Sequence, residues 1–506
     1  MVEPPRNRLI SAPDRPADAD LMPRVGSGLL GRRVLDLATT PPLTCPPSTP
    51  IADAAALMSG RGAGSIVVVD ADGAPVGIMT DRDLRSRVVA LGMAPGVPVS
   101  EVMTTPLLSL SPDTPAFEAL LEMTRRGIHH LGVVEGGRLV AVVSSHDMVL
   151  AEGAHPLALL RAIEGEGSLD GLAAAASRLT GVVRWLVTGG SSASEVGRLI
   201  AELNDRLVAR AAELVERALE AEGHGRPPVP YSWLVAGSEG RREQTLKTDQ
   251  DNALVYADSP PEDDAPSYFA LLGERMGAAL VRLGFPECPG GFMASNSRWR
   301  KPARVWREYF TSWMENPQPE AIVHASLFFD LRPVAGDLEP GQALWAWVCE
   351  RAPGSTLFLR HLARVAVSRR SALGWFGRFR VERSGPRRGR LDLKAMAVFP
   401  LTGAMRACGL SLGLRETHTL ERLRGAEAAG LLRPQDAADI SEAYEIVARV
   451  RLAHQLRCLD EGLAPDNFLD PRRLGRGDRV LLRDALHTVA WLQRFVEDRF
   501  QTNLIG

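Results

Sequence analysis

Apolar and polar residues alternate with two different periods in the first third of the chain, and the change of period predicts successive helices and strands. Apolar positions recur at helical spacing in residues 51–59 and 116–125. Each of these stretches is followed by a short apolar run of the strand type, at residues 65–69 and 131–134, then by a Gly-containing turn and a second strand. The pattern predicts one mixed α/β unit that occurs twice.

The two copies can be laid over each other in register. Thr49-Pro50 matches Thr114-Pro115, and after a loop one residue shorter the segment 77–83 matches the segment 141–147. A repeat of this kind defines the folding unit, so we predict a tandem module over residues 33–150. Residues 151–225 follow, rich in Ala, Leu, Glu and Arg, and their periodicity predicts a helical connector.

A strand–turn–strand pattern carries the candidate chemistry. An apolar strand over residues 233–236 leads into Gly237-Ser238, and the next strand, residues 252–256, is headed by Asp249 and Asp251. Side chains two apart in a strand share one face, so the two carboxylates repel each other unless a cation lies between them. Oxygen ligands suit Mg²⁺, which also takes oxygens from a triphosphate. Gly237 allows close backbone approach to phosphate, and Ser238 with the following N–H groups can hold it.

The remaining residues, 339–506, show helical periodicity and predict a helical bundle that begins with a helix over residues 341–368. Residues 371–390 are basic, broken by glycines and interleaved with Trp375, Phe376 and Phe379. Aromatic and basic side chains together can stack bases and contact phosphates. A solvated loop explains the segment as well, and we do not expect nucleic acid as a partner.

Length, charge and cysteine content narrow these alternatives. A chain of 506 residues is too long for one core, and a net charge of −2 gives no global attraction to nucleic acid or an acidic membrane. No apolar stretch is long enough to span a bilayer, and residues 1–32 read as a flexible tail without a secretory h-region, so we expect a cytoplasmic protein. The five cysteines are scattered without a CxxC pair, which argues against a zinc site.

The repeated unit resembles a tandem pair of CBS domains, each of βαββα order. The resemblance implies that the hydroxyl and the carboxylate after each second strand bind an adenine nucleotide that acts as a regulator. In this sequence they are Thr80 with Asp83, and Ser144 with Asp147. Thr and Asp at the start of a helix are also ordinary N-caps, which remains the alternative. CBS pairs usually dimerise, so the resemblance implies a homodimer.

The strand, Gly-Ser, helix and Asp-x-Asp order resembles the nucleotidyltransferase superfamily. That resemblance implies a third carboxylate on a later strand, and Asp330, at the end of the apolar run 325–330, is the candidate. Asp249, Asp251 and Asp330 would then hold two Mg²⁺ ions, or Mn²⁺ in their place, and Asp330 would help remove the acceptor proton.

Segments 237–244 and 248–252 resemble, more narrowly, the DUF294-type nucleotidyltransferases, which are related to the uridylyltransferases of PII proteins and often carry CBS pairs. Within this resemblance Arg241 binds the nucleotide, and Arg241 with Glu243 supports the phosphate loop and the metal site; a surface ion pair is the alternative. Lys394 would neutralise a triphosphate in a C-terminal substrate-binding domain, and an ordinary surface lysine is the alternative.

The predicted protein is therefore multidomain, α/β and α. Its predicted parts are a tail (1–32), a CBS pair (33–150), a helical connector (151–225), a nucleotidyltransferase domain (226–338) and a helical substrate-binding domain (339–506). We expect transfer of a nucleoside monophosphate from a nucleoside triphosphate to a hydroxyl, on a protein, under adenine-nucleotide control. The alternatives are a non-catalytic nucleotide-sensing scaffold, and transfer to RNA or a small molecule.

Overall fold

The computed structural model describes residues 33–38, 41–144, 156–246, 249–258, 264–369, 371–374 and 377–504. Contacts divide this chain into two compact units. The described residues up to Arg161, with Thr188–Ser191, form the first unit. Ala162–Val187 and the residues from Ser192 onward form the second. The predicted tail, residues 1–32, lies outside the described residues.

The first unit contains two three-stranded sheets of the same topology. In each sheet the first strand runs parallel to the second, and the second pairs with the third in antiparallel register. The strands are β1 (Thr44–Cys45), β2 (Ser65–Val69), β3 (Pro75–Thr80), β4 (Ser109–Leu110), β5 (His130–Glu135) and β6 (Arg138–Ser144). The helices are α1 (Ile51–Arg61), the one-turn α2 (Asp81–Asp83), which continues as a π-helix over Leu84–Val89, and α3 (Ala116–Arg126). The predicted repeat is confirmed.

The second unit is mostly helical. Its strands are β7 (Tyr231–Val235), β8 (Asn252–Tyr256), β9 (Arg300–Pro302), β10 (Arg332–Gly336), β11 (Leu391–Asp392) and β12 (Phe468–Leu469). The first helices of this part of the chain are α4 (Pro156–Gly165), α5 (Leu169–Ser177), α6 (Leu179–Thr188), α7 (Ala193–Ala221), α8 (Gly237–Gly240) and α9 (Ala265–Arg282). The later helices are α10 (Ala303–Glu315), α11 (Pro319–Phe328), α12 (Glu339–Arg351), α13 (Thr356–Val367), α14 (Phe399–Ser411), α15 (Thr419–Ala428), α16 (Pro434–Asp460) and α17 (Arg476–Phe500).

One four-stranded sheet organises the middle of the second unit. Its strand order is β10-β7-β8-β9; β7 pairs antiparallel with β10 and β8, and β8 runs parallel to β9. Every residue of β7 and β8 is buried, as expected for central strands covered on both faces. Helix α7 packs against α9, β10 and α16. The segment predicted as a connector therefore contributes to the same compact unit as this sheet.

Two predicted elements differ from the structure. The apolar run 325–330 was expected to be a strand, but its residues up to Phe328 belong to helix α11, and the neighbouring strand β10 begins only at Arg332. Apolar residues without a clear period do not separate a buried helix from a buried strand. The helix predicted over residues 341–368 is broken at Ala352–Gly354, where Pro353 removes a backbone donor.

The C-terminal part confirms the expected helical bundle. Helices α13, α14, α16 and α17 enclose a core of small and aliphatic residues that includes Ala404, Cys408, Val447 and Leu486. The short strands β11 and β12 pair beside this bundle, bringing residues 391–394 next to residues 466–469. In the described part of the chain, no helix is long and apolar enough to cross a membrane.

Candidate active site

The turn after β7 and the acids before β8 meet at one end of the central sheet. β7 and β8 pair from Tyr231–Tyr256 to Val235–Asn252, and the backbone N–H of Ala236 donates to the carbonyl of Asp251 at 2.9 Å. The antiparallel register therefore puts Gly237 directly beside Asp251. The predicted neighbours, Gly237-Ser238 and the Asp pair, lie together in the structure.

Gly237 is required at this turn for two reasons. Its φ is +58°, in the left-handed region that other residues adopt only at a cost of about 1–2 kcal/mol. A Cβ at this position would also lie 3.2 Å from Oδ2 of Asp251 and 3.0 Å from the Leu327 side chain. The backbone thus approaches the carboxylate as closely as a side-chain-free residue permits. Any group held by the Asp251 carboxylate is in reach of the first amides of the turn.

The Asp249–Asp251 pair is short of positive charge. The pKa of Asp251 is raised to about 6, chiefly by burial and also by the neighbouring Asp249, while a hydrogen bond from the Cys288 thiol and the charges of Lys394 and Arg241 act to lower it. The side chains of Asp249 and Asp251 are half-buried rather than enclosed. A carboxylate whose pKa is raised by desolvation and by a like charge gains the most from a bound cation.

Lys394 comes to this pair from the C-terminal part of the chain. It is exposed and begins the π-helix Lys394–Val398, which follows strand β11. Its ammonium lies close enough to Asp251 to lower the pKa of that carboxyl. The two positions are far apart in sequence, so this approach depends on the packing of the bundle against the sheet.

The role predicted for Asp330 is wrong. Asp330 is completely buried, and both of its carboxylate oxygens accept hydrogen bonds from arginines. Arg241 and Arg406 reach Oδ2 at 2.6 Å, and Arg422 reaches Oδ1 at 2.6 Å. These three guanidinium groups hold the pKa of Asp330 well below its usual range, although burial alone would raise it. A carboxylate with its lone pairs engaged by three cations is not a metal ligand, and it is not a general base.

Arg241 is likewise not placed to bind a nucleotide. Its side chain is buried and pairs with Glu243 at 2.8 Å as well as with Asp330. Glu243 in turn accepts from the backbone N–H of Thr419 at 2.8 Å, and Thr417 donates to the carbonyl of Gly240 at 2.8 Å. These hydrogen bonds hold the turn after β7 to the start of α15. The predicted support of the phosphate loop by Arg241 and Glu243 agrees with these contacts, and the surface ion pair does not.

Sequence reasoning missed Arg406 and Glu239. Arg406 lies within helix α14 and is buried against Asp330, and its position as the one charged residue between Lys394 and Arg415 is the signal that could have found it. Glu239 directly follows Ser238 in the chain, and its side chain is buried. Burial and the negative charges of Asp205 and Asp251 raise its pKa to about 8, against the opposing charge of Arg332. Glu239 is therefore protonated at neutral pH. Its protonation follows mainly from burial, with Asp205 and Asp251 as the nearby negative charges and Arg332 as the nearby positive charge.

The donor set at Asp249 and Asp251 fits one Mg²⁺ ion. This ion uses one or two protein carboxylates and completes its octahedral shell with water and substrate phosphates. The pKa of Asp251 is raised mainly by burial, and a bound cation would offset the cost of keeping this carboxylate charged. Asp330 is bound by arginines, so the described residues offer no third carboxylate ligand at this site. The two expected ions would have shared that ligand, and without it the site fits one ion.

The predicted regulatory residues lie in the first unit. Thr80 and Asp83 form a capping box: the Thr80 hydroxyl donates to Asp83 Oδ2 at 2.7 Å, and the Asp83 N–H donates back to the hydroxyl at 3.4 Å. The alternative, N-capping, is therefore realised at these two residues, and nucleotide contact there stays a prediction. Ser144 ends strand β6, and Asp147 lies outside the described residues.

The basic segment 371–390 is partly used in internal contacts. Phe379 packs against the C-terminal core, and the guanidinium of Arg387 lies 3.6 Å from the ring centre of Phe468. Trp375 and Phe376 lie outside the described residues. A base-stacking platform needs free aromatic faces, and Phe379, the aromatic residue of this segment that the structure describes, packs against the core.

Comparison with known proteins identifies three kinds of domain along the chain. A family model described as "CBS domain" matches residues 34–90 and 99–153. A model described as "Putative nucleotidyltransferase DUF294" matches residues 177–320, beginning in α5. A model described as "Putative nucleotidyltransferase substrate binding domain" matches residues 356–500.

Individual relatives match about a quarter of the chain. "CBS domain-containing protein YhcV" from Bacillus subtilis is 37% identical over 117 residues, which are 23% of this chain and 83% of YhcV. "CBS domain-containing protein CBSCBSPB3" from Arabidopsis thaliana is 35% identical over 113 residues, 22% of this chain and only 20% of that protein. Among solved structures, a CBS domain protein from Pyrobaculum aerophilum complexed with AMP shares 27% identity and covers 24% of this chain and 92% of its own, with a TM-score of 0.23.

Proposed function

The chain belongs to the CBS-domain proteins and carries the DUF294 nucleotidyltransferase domain with its substrate-binding domain, and from this premise we propose that it transfers a nucleoside monophosphate from a nucleoside triphosphate to a hydroxyl group. The observation that carries the proposal is the placement of Asp249 and Asp251 beside Gly237 at the end of the central sheet. The acceptor that we propose is a hydroxyl on a protein.

The residues of the site divide the binding of the triphosphate between them. Asp249 and Asp251 hold a divalent cation, Mg²⁺ or Mn²⁺, whose positive charge offsets the negative charge of the phosphate oxygens when it is bound. The amides of Gly237 and Ser238 begin the short helix α8 and have no carbonyl partner within it, so they are available to phosphate. The ammonium of Lys394 adds a positive charge near Asp251.

The proposed reaction is a substitution at the α-phosphorus. The acceptor oxygen forms a new bond to this phosphorus, the bond from the phosphorus to the bridging oxygen of pyrophosphate breaks, and pyrophosphate leaves. The acceptor proton goes to solvent or to a carboxylate of the Asp249–Asp251 pair, because Asp330 is saturated by arginines. The main contribution of the chain is to position the two substrates and to compensate charge.

We also propose that an adenine nucleotide binds to the CBS pair and changes the rate of transfer. The support is the match of both repeats to the CBS model and the position of Thr80 at the start of the helix after β3. Regulation of this kind requires the nucleotide to bind two states of the protein with unequal affinity. Calorimetry with AMP and ATP, followed by transfer assays at saturating AMP, tests this part separately.

Radiolabel transfer tests the enzyme. The purified chain is incubated with Mg²⁺, α-³²P-labelled ATP, UTP, GTP or CTP, and a lysate or candidate proteins, and labelled products are separated and identified by mass spectrometry. We expect label on a protein, and its loss in the double variant Asp249→Asn, Asp251→Asn. Label on RNA or on a small molecule would change the acceptor. Label that persists in the double variant would overturn the site.

A nucleotide-sensing scaffold is the second candidate, and one observation favours it. The third carboxylate expected of this superfamily is absent from the described site, since Asp330 is engaged by Arg241, Arg406 and Arg422. A scaffold of this kind would bind a triphosphate with Mg²⁺ and release it unchanged. Calorimetric binding of ATP that depends on Asp251, without transfer to any acceptor, would support the scaffold over the enzyme.

A further inference from the structure

Three side chains with metal-binding atoms converge on the C-terminal bundle. His454 and Cys458 are one turn apart on helix α16, so they lie on the same face. Asp466, in the loop between α16 and β12, faces them from the other side. The Nε2, Sγ and carboxylate oxygen of these residues all lie within 4.8 Å of one another.

The distances among these atoms are close to those of a tetrahedral site. Cys458 Sγ lies 3.6 Å from His454 Nε2, and His454 Nε2 lies 2.6 Å from Asp466 Oδ1. With zinc–nitrogen bonds of about 2.0 Å and zinc–sulfur bonds of about 2.3 Å, the nitrogen and sulfur of a tetrahedron are about 3.5 Å apart. The corresponding nitrogen–oxygen separation is about 3.3 Å, so the His–Asp hydrogen bond has to open for an ion to enter.

The contacts of Asp466 leave one of its carboxylate oxygens, and one direction of approach, to a metal ion. Arg390 lies 3.7 Å from Asp466 Oδ2, which places the guanidinium on the oxygen that faces away from His454. The backbone N–H of Phe468 donates to Oδ1 at 2.9 Å and fixes the orientation of the carboxylate. Cys458 is buried, whereas the Asp466 side chain is 34% exposed. A metal and a water ligand therefore have access from the side of Asp466.

We propose that His454, Cys458 and Asp466 bind a zinc ion, with water as the fourth ligand. A cysteine, a histidine and a carboxylate at tetrahedral spacing select zinc among the common ions, whereas Mg²⁺ prefers oxygen ligands only. On binding, the Cys458 thiol loses its proton to solvent, and the neutral imidazole keeps its single proton on Nδ1 so that Nε2 is free to bind the metal. This proposal runs counter to the missing CxxC pair, which argued against a zinc site.

The ion would have a structural role near the proposed transferase site. The loop that contributes Asp466 continues into β12, which pairs with Leu391–Asp392, and the Leu393 N–H donates to the Asn467 carbonyl at 3.0 Å. Lys394 follows directly. A metal that ties this loop to α16 would fix the ribbon from which Lys394 extends. The zinc site itself does not rest on the proposed function, because its ligands are separate from Asp249 and Asp251.

Metal content tests the proposal directly. The full chain is stripped with a chelator, dialysed against Zn²⁺ in excess over the chain, freed of unbound zinc and analysed by mass spectrometry for bound metal, and Co²⁺ is substituted to report ligand type by absorption. We expect one zinc per chain and a thiolate-to-cobalt charge-transfer band. The variants Cys458→Ser and Asp466→Asn should bind zinc at least about tenfold more weakly, and the band should disappear in Cys458→Ser.

Cys349→Ser is the matched control. Cys349 is also buried on a helix, but its thiol donates to the carbonyl of Leu414, and a serine hydroxyl can make the same bond. This variant should keep both the zinc and the cobalt band. Absence of stoichiometric zinc in the wild-type chain, or zinc retained equally by Cys458→Ser and Asp466→Asn, would overturn the proposal and leave a His–Asp hydrogen bond as the purpose of the cluster. Far-ultraviolet circular dichroism of each variant checks that a lost metal is not a lost fold.

Discussion

The second unit contains two carboxylate sites that have opposite environments. Asp251 is half-buried, has another carboxylate as its neighbour, and has its pKa raised to about 6. Asp330 is fully buried, is bound by three arginines, and has its pKa held well below its usual range. The first site lacks positive charge and can gain it from a ligand. At the second site the three arginines already offset the charge of the carboxylate, so a cation would add nothing.

The two environments indicate different roles for Asp251 and Asp330. The Asp330 cluster joins the turn after β7, through Arg241, to helices α14 and α15, through Arg406 and Arg422. It therefore fastens the sheet to the bundle that also carries Lys394. In the proposed function the Asp249–Asp251 pair binds the cation, and Asp330 holds the surrounding elements in place. Four substitutions test the contrast between Asp251 and Asp330.

The substitution Asp251→Asn should reduce nucleotidyl transfer at least about a thousandfold, because it removes a ligand and the charge that holds the cation. Its melting temperature should not fall, since the fold already disfavours the charged form of this side chain. Initial rates with the labelled triphosphate and thermal unfolding measure the two effects. More than a tenth of the wild-type rate would contradict the role of Asp251.

The substitution Asp330→Asn should destabilise the chain by about 3–5 kcal/mol, because it leaves buried guanidinium groups without their counter-charge. Thermal and urea unfolding report the loss, with Asp251→Asn as the matched control. Equal stability of the two variants would show that the arginine cluster does not fasten the second unit. If Asp330→Asn lost bound Mg²⁺ while keeping its stability, the metal role rejected for Asp330 would have to be restored.

The substitution Lys394→Gln should raise the KM for the triphosphate about tenfold and change kcat less, because a single exposed charge near the phosphates contributes mainly to binding. Lys394→Arg, which keeps the charge, is the control and should stay closer to the wild type. Steady-state kinetics over a range of ionic strength checks the electrostatic origin. An unchanged KM would return Lys394 to the class of ordinary surface lysines.

The substitution Glu239→Gln should change how stability depends on pH. The pKa of Glu239 is about 8 in the folded chain and 4.5 in its ordinary state, so between these values the folded chain binds more protons than the unfolded chain. Stability is then lost as pH rises, by at most about 1.4 kcal/mol per pH unit. Relative to the wild type, the variant should gain about 2 °C in melting temperature between pH 6.5 and 7.5, measured with a chelator present. A constant difference would contradict the raised pKa.

The sequence predicted the repeated first unit and the strand–turn–strand of the site because these depend on local signals. The sequence shows strand and helix periods, a Gly-Ser turn, and two acids before an apolar strand. Each of these can be recognised without knowing which residues pack against it. The connection from β7 to β8 spans residues 236–251 and contains helix α8, so its length does not fix the register, and the expectation that Gly237 lies near Asp251 came from the resemblance to the superfamily. The nature of the run 325–330 could not, because a buried helix and a buried strand have the same composition.

The role of each charged residue was decided only by the tertiary structure. Asp251 and Asp330 both adjoin apolar runs in the sequence, yet Arg406 and Arg422 reach one of them and not the other. His454 and Cys458 were legible as helical neighbours, but Asp466 joins them only because the loop folds back along β11. Charge interactions fall off over a few ångströms, so they depend on which distant segments meet, and local sequence does not contain that information.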